Sequence, residues 1–265
     1  MAIKKKVLSL VMVIILCLYL CGCKIFGYLP KRTEIDSLEF IRILGIDMGS
    51  QDSENIKVTM LYITHEKEQG GQKDSSNQGG RANISTMVAE GKSLSDAIKN
   101  AQLSSKRKIF LGHVFGVIIG DEAAKNGLGK YIDFISRGIE LRLDNNIYIA
   151  KDMDAEELIL KSCKSDEELC DIIEHFSKDY GITSTSGNKK LIEIMEELDN
   201  KYAGIVIPAI KLMEEKEENF QEGNGEEARE KVVIKLDGYG VLKDGKLISY
   251  ADEYLSTGIN ILNDK

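Results

Sequence analysis

The sequence predicts an α+β fold, with mixed or antiparallel sheets and packed helices, in a multi-domain lipoprotein body that follows a signal peptide. Three observations favour this class. Runs rich in β-branched residues are bounded by turn residues, amphipathic stretches with capping residues lie between them, and the 265 residues contain no internal repeat. Strands and helices interleaved in this way are typical of sheets with helices packed against them.

The first 23 residues predict a lipoprotein signal peptide. Lys4, Lys5 and Lys6 form a positive start, and residues 7–20 carry no charge. This apolar run is short for a bilayer span, which needs roughly 20 residues, and it suits a cleaved leader. The motif Leu20-Cys21-Gly22-Cys23 resembles the lipobox that bacterial lipoprotein signal peptidase recognises.

We therefore expect residues 1–22 to be removed and a diacylglycerol to be attached to the sulfur of Cys23, which anchors the body to the outer face of a membrane. Two acyl chains give stable anchoring where one is marginal. Two alternatives remain open: an uncleaved N-terminal anchor and a plain secretory peptide. Both place the body outside the cell membrane.

The next elements are β-rich. Residues 40–48 and 55–64 are separated by turn residues and predict a hairpin. Residues 66–80 are polar and rich in Gln, Gly and Ser, which predicts a mobile loop. A third strand is expected over residues 82–89.

The middle of the chain alternates helices and strands. Ser93 with Asp96 predicts a capped helix start. Residues 108–119 form the most apolar strand of the mature chain and are expected to lie in the centre of a sheet. Asp121 is expected to cap a second helix, and residues 146–150 predict a short strand.

The second half continues this pattern. Asp154 with Glu157 predicts a capped start of helical stretches that reach about Lys178, and Leu191, Ile194, Met195 and Leu198 mark another helix. Residues 205–212 predict a strand, placed at a sheet edge because it contains Pro208. An acidic loop is expected over residues 214–230. Residues 231–242 and 246–250 predict a hairpin around Asp244-Gly245.

Two cysteines, Cys163 and Cys170, remain in the mature body besides the predicted lipid site. Seven helical residues would separate their Cα atoms by about 10.5 Å, whereas a disulfide needs roughly 7 Å or less. We expect both to be reduced core residues. A disulfide would need the helix to break near Lys164-Ser165-Asp166.

The net charge and the motifs of the chain exclude several classes of function. Loss of three lysines with the leader takes the formal charge from −8 to −11. Because an acidic body is repelled by nucleic acid and by anionic lipid, neither is expected as a partner for its surface. His65, His113 and His175 lie on separate predicted elements without metal-ligand spacing. No nucleophile elbow, phosphate-binding loop or calcium loop is present. The sequence therefore nominates no catalytic residue, no metal site and no cofactor.

Four stretches carry a family resemblance: Thr33–Leu38 after Cys23, Leu44–Asp47, Phe110–His113 leading into Val117–Ala124 and continued by Asp133–Arg137, and Gly240–Leu247. In this order behind a lipobox, they resemble the Ger(x)C family, the C subunits of spore germinant receptors. The chain departs from the family in lacking Trp, which members commonly carry directly after the lipid cysteine.

The resemblance implies a function and partners. The protein would sit on the outer surface of the spore inner membrane with a multi-spanning B subunit and a membrane-associated A subunit, and would take part in nutrient sensing without catalysis. His113 and Arg137 would hold the fold rather than contact germinant. The alternative is a solute-binding envelope lipoprotein of an importer, although such proteins usually have two α/β lobes.

The expected domains are residues 1–22, the signal peptide; residues 23–200, an N-terminal germination-protein domain; and residues 201–265, a second β-rich segment. The resemblance also implies a further C-terminal domain of about a hundred residues, a common domain size, which the 265 residues do not include.

Overall fold

The computed structural model describes residues 2–20, 35–50, 54–64, 83–137, 140–163, 169–178, 187–200, 204–216 and 230–262. The chain divides into two compact units, Met1–Ser37 and Leu38–Lys265. The described residues of the first unit form helix α1, Ala2–Leu20, and a 3-10 turn, Ile35–Ser37. Of the helices among the described residues, none is both long enough and apolar enough to cross a bilayer.

The second unit contains the β-sheet and the remaining helices. The described strands are β1 Leu38–Met48, β2 Ile56–Thr64, β3 Asn83–Gly91, β4 Lys108–Phe110, β5 Gly116–Gly120, β6 Asn146–Ala150, β7 Ile205–Lys216, β8 Glu230–Lys243 and β9 Lys246–Ala251. The described helices are α2 Leu94–Ser104, α3 Asp121–Asn126, α4 Gly129–Ser136, α5 Ala155–Ser162, α6 Leu169–Lys178, α7 Leu191–Asp199 and α8 Glu253–Leu262.

One mixed sheet of nine strands runs through the described part of this unit, in the order β3-β2-β1-β5-β6-β7-β8-β9, with β4 paired to β1. The central neighbours β1, β5, β6 and β7 are parallel. The outer neighbours are antiparallel hairpins. The predicted α+β class with a mixed sheet is confirmed.

Both faces of the central sheet are covered. On β5, Val117 and Ile119 pack into one hydrophobic core, together with residues of α2, α3, α4 and α7. Ile118 between them packs into a second core with α5 and α6. Strands buried on both faces need apolar side chains at successive positions, which explains why β5 reads Gly-Val-Ile-Ile-Gly.

Several local predictions are confirmed. Both hairpins form, and Asp244 and Gly245 adopt positive φ values of 52° and 71° in the turn between β8 and β9, as a type I′ turn requires. Ser93 accepts a hydrogen bond from the Asp96 N–H at the start of α2. The predicted loops at 66–80 and 214–230 lie outside the described residues, except that β7 and β8 include 214–216 and 230.

The single strand predicted over residues 108–119 is wrong. The chain forms β4 and β5 separately, and a turn at Leu111–Phe115 joins them, in which the Val114 N–H donates to the Leu111 carbonyl at 3.1 Å. Leu111 and Val114 are both buried, so the apolar pattern continues while the backbone turns. His113 is exposed in this turn rather than enclosed in a strand.

The predicted edge position of the Pro208 strand is also wrong. β7 lies between β6 and β8, and β6 pairs with it only at Ala209 and Ile210. On the other side the register shifts between Pro208 and Ile210. Because the ladder is irregular at this point, the missing N–H of proline is tolerated inside the sheet.

Cys163 and Cys170 are not joined by a disulfide and lie in separate helical segments, since α5 ends at Ser162 and α6 begins at Leu169. Cys170 is buried, as expected. Cys163 is exposed just after α5, so its predicted core position is wrong.

Candidate functional site

The carboxyl ends of the central strands bring polar side chains together. Asp47 lies near the end of β1, Gly120 ends β5, and Lys151 directly follows β6. In sheets with parallel strands, this edge is where ligands usually bind. The edge is therefore the first place to test for a functional site.

Asp47 is the central residue of this edge and is 1% exposed. Its Oδ1 accepts a hydrogen bond from the Ala155 N–H at 2.7 Å, and its Oδ2 accepts one from the Glu156 N–H at 2.9 Å. The carboxylate thus caps the first turn of α5. Burial raises the pKa of the Asp47 carboxyl from 3.8 to about 6, although the two backbone hydrogen bonds act in the opposite direction.

The local caps predicted from the sequence are wrong at two helices. Asp154 occupies the N-cap position of α5, yet its side chain makes no capping hydrogen bond. Asp121 is the first residue of α3, and Gly120 occupies the N-cap position. Asp47 supplies the cap of α5 from the sheet because its two oxygens reach the free N–H groups.

Lys57 completes the charge arrangement around α5. It is paired with Asp47 across the β1–β2 ladder, is 7% exposed, and places its Nζ 2.6 Å from Glu156 Oε2. Burial opposes its charge, but the hydrogen bond and the charge of Glu156 outweigh burial, so the pKa of Lys57 is raised. Sheet and helix are therefore joined by two backbone caps and one ion pair.

The position of the Asp47 carboxylate requires a residue without a side chain at position 120. A Cβ atom at this position would overlap Asp47 Oδ1 and would lie 3.2 Å from the Ala155 nitrogen. The backbone of β5 therefore approaches the capped helix more closely than a residue with a side chain allows.

A second polar group lies beside the first and joins α3 to the hairpin of β8 and β9. Tyr250 donates a hydrogen bond to Asp121, and Lys125 Nζ lies 2.5 Å from the same carboxylate. Lys151 pairs with Asp237 at 2.8 Å and lies 5.1 Å from the centre of the Tyr250 ring. Burial and Asp121 raise the pKa of Tyr250.

The polar groups at the carboxyl ends of the central strands stabilise the fold. The charged groups named above engage one another or helix N–H groups, so their hydrogen-bonding capacity is directed into the fold. Among the described residues, no three His, Cys, Asp or Glu side chains come together to hold a metal. The Gly-Ile-Asp stretch at 45–47, singled out in the sequence, acts as the attachment point of α5.

Other residues singled out in the sequence lie elsewhere. His113 is exposed and makes an edge contact with Phe40, at 5.0 Å between ring centres. Arg137 pairs with Asp133 at 2.7 Å, but both side chains are largely exposed, so the pair adds little stability. Cys23 and His65 lie outside the described residues.

Helix α8 presents an exposed apolar face. Its inward positions are polar: Ser256 is fully buried, and Asn260 accepts a hydrogen bond from the Tyr239 hydroxyl at 2.6 Å. Its outward positions are Tyr254, Leu255, Ile261 and Leu262, which are 62–88% exposed. This arrangement inverts that of an ordinary surface helix, and such faces commonly mark contact surfaces. This helix was not among the elements predicted from the sequence.

Comparison with known proteins identifies relatives of this chain. Residues 31–212 match the family described as "Spore germination protein N-terminal domain". The Bacillus subtilis (strain 168) spore germination protein YfkR, whose own assignment is provisional, is 25% identical over 264 residues, which cover 98% of this chain and 62% of YfkR. Spore germination protein KC of the same organism is 24% identical over 156 residues, 58% of this chain and 36% of that protein.

The chain therefore spans less than two thirds of the length of either relative. No solved structure matches the chain significantly. Since the family match covers more than half of the residues, the chain belongs to the Ger(x)C family of spore germination proteins.

Proposed function

We propose that this protein is the lipid-anchored C subunit of a nutrient germinant receptor at the spore inner membrane, where it works with the receptor A and B subunits. The observation that carries the proposal is the family match over residues 31–212. This matched region begins eight residues after Cys23, the predicted lipid site. An anchor at that cysteine would hold the folded body at the membrane and raise its effective concentration for partner subunits.

A role in assembly rather than catalysis fits the described surface. The polar groups at the carboxyl edge of the sheet are engaged in attaching α5 and α3, as in the contacts of Asp47 and Asp121. The α8 apolar face, by contrast, exposes four large apolar side chains. Surfaces of that kind favour contact with other proteins over small-molecule chemistry.

The test is deletion of the gene in the native spore-former, in a strain that also lacks sister receptors, followed by germination on defined nutrients. We expect germination to be lost on at least one nutrient and to be restored by the wild-type gene. Cys23→Ala should fail to restore it and should release the protein from the membrane fraction.

Cys163→Ala provides the matched control, because Cys163 is an exposed free thiol that the proposal does not use. It should restore germination as well as the wild type does. Normal germination of the deletion strain on every nutrient would reject the role. Retention of the Cys23→Ala protein in the membrane fraction would reject the lipid anchor.

A further inference from the structure

The surface around the start of the second unit, Leu38–Lys265, is unusual. Leu38 is the first residue of β1, and Leu38–Phe40 pairs in parallel with β4. The residues that lead into β4 are Lys106, Arg107 and Lys108, which we call the basic turn. Three consecutive basic residues stand out in a chain whose formal charge is −8.

The basic turn is held in one conformation by the end of α2. The Gln102 side chain donates to the Arg107 carbonyl at 2.8 Å and accepts from the Ile109 N–H at 2.8 Å. The Arg107 N–H donates to Ser105 Oγ at 3.2 Å. These bonds involve the backbone of the turn and leave two of its basic side chains exposed: Lys106 is exposed, and the Lys108 side chain is 61% exposed.

Apolar and aromatic side chains border the basic turn. Leu103, one helical turn before it, is 85% exposed. Phe110, just after it, is half-buried and packs edge-on against Phe40 at 5.7 Å between ring centres. Exposed His113 completes this aromatic group. Basic residues beside aromatic and aliphatic side chains are typical of surfaces that contact the headgroup region of a bilayer.

Two acidic residues lie near the basic turn. Glu140 lies 3.7 Å from Lys108, and both side chains are substantially exposed. Glu39, on β1 opposite Ile109, is 7% exposed. Lys106 is exposed and Arg107 is partly buried, so this part of the surface carries positive charge although the body as a whole is acidic.

We propose that Leu103, the basic turn and Phe110 form the side of the body that rests on an anionic bilayer. This inference rests on the lipid anchor of the proposed function, because the anchor brings the body to the membrane and the basic turn then orients it. Each Lys or Arg close to an anionic surface is attracted to it within a Debye length. The α8 apolar face is less suited to that lipid, since Asp252 and Glu253 stand at its start.

The absence of Trp from the chain permits a direct test with single-Trp variants. Full-length lipidated Leu103→Trp protein is reconstituted into vesicles of phosphatidylglycerol and phosphatidylcholine with brominated acyl chains, and quenching of Trp fluorescence is measured. Tyr254→Trp is the matched control: position 254 is 88% exposed, and it follows β9, five strand spacings of about 4.8 Å from β1 in the sheet order.

We expect strong quenching at position 103 and little at position 254. Lys106→Glu with Lys108→Glu, in the Leu103→Trp background, should lower the ratio of docked to undocked body by at least about tenfold. Lys243→Glu with Lys246→Glu, a reversal of two exposed charges in the β8–β9 turn, should leave that ratio unchanged.

Equal or greater quenching at position 254 would overturn the inference, as would quenching at position 103 that is unaffected by the double reversal or by omission of phosphatidylglycerol. Failure of the protein to float with the vesicles would reject the lipid anchor, and the inference with it. Flotation without quenching at position 103 would reject the inference alone.

Discussion

Asp47→Asn tests how the sheet holds α5. In the native protein the buried carboxyl has a pKa of about 6 instead of 3.8. A folded-state pKa above the unfolded value means that the folded state binds its proton more tightly. The stability contributed by Asp47 is therefore fully present below about pH 4 and is lost as the pH rises through about 6.

The size of this effect follows from the shift. A change of about two pKa units corresponds to about 3 kcal/mol, since the side chain is 1% exposed and solvent screening is slight. Asn has the same shape and does not ionise. We therefore expect the difference in unfolding free energy, native minus Asp47→Asn, to fall by about 3 kcal/mol between about pH 4 and pH 7.

Urea unfolding at a series of pH values, followed by circular dichroism, measures this difference. Asp252→Asn is the matched control, because Asp252 also caps a helix, accepting from the Leu255 N–H at 2.9 Å, but is exposed. Its pH dependence should stay close to that of the native protein. If the native protein instead gains stability over Asp47→Asn as the pH rises, the two helix N–H groups outweigh burial and the reasoning is wrong.

Two further substitutions test the same attachment by urea unfolding. Gly120→Ala should destabilise the protein by about 2 kcal/mol or more, because its Cβ would displace the Asp47 carboxylate. Its control is Gly258→Ala, which has open space around it and should be neutral or stabilising. Equal effects of the two substitutions on the unfolding free energy would contradict the close approach of Gly120 to Asp47. Lys57→Met should cost about 1–3 kcal/mol because it leaves Glu156 without its ion pair. Arg137→Met breaks an exposed pair and should cost under about 0.5 kcal/mol; a larger loss there than at Lys57 would contradict the account.

The sequence predicts the parts of the fold that depend on neighbours in the chain. Ser93 and Asp96 are three residues apart, so their cap follows from local geometry. The Asp244-Gly245 turn likewise depends on two adjacent residues that accept positive φ. Apolar periodicity marks the buried stripe of α2, in which Leu94, Ala97 and Ala101 are buried.

Contacts between distant residues could not be predicted in this way. Asp47 caps α5 from 108 residues earlier in the chain, and the local candidate Asp154 satisfies the same pattern without making the bond. Pro208 indicates an edge when only its missing N–H is considered. The register shift that lets Pro208 lie inside the sheet depends on the pairing of β7 with β8.

The candidate functional features also differ in whether the sequence alone reveals them. The Gly-Ile-Asp stretch and the lipobox are visible in the sequence, whereas the structural role of Asp47 needs the sheet. The α8 apolar face was missed because Ser256 and Asn260 interrupt its apolar residues, and only the structure shows that these two polar residues face inward. The domain division at residues 22 and 200 and the lipid on Cys23 stay predictions.

Mass spectrometry of the mature N-terminal peptide, from protein purified out of membranes, shows whether the protein is anchored by lipid. We expect the protein to begin at Cys23 and this residue to carry the mass of a diacylglycerol on its sulfur. An unmodified Cys23 thiol, or a peptide that still contains residues 1–22, would contradict this expectation.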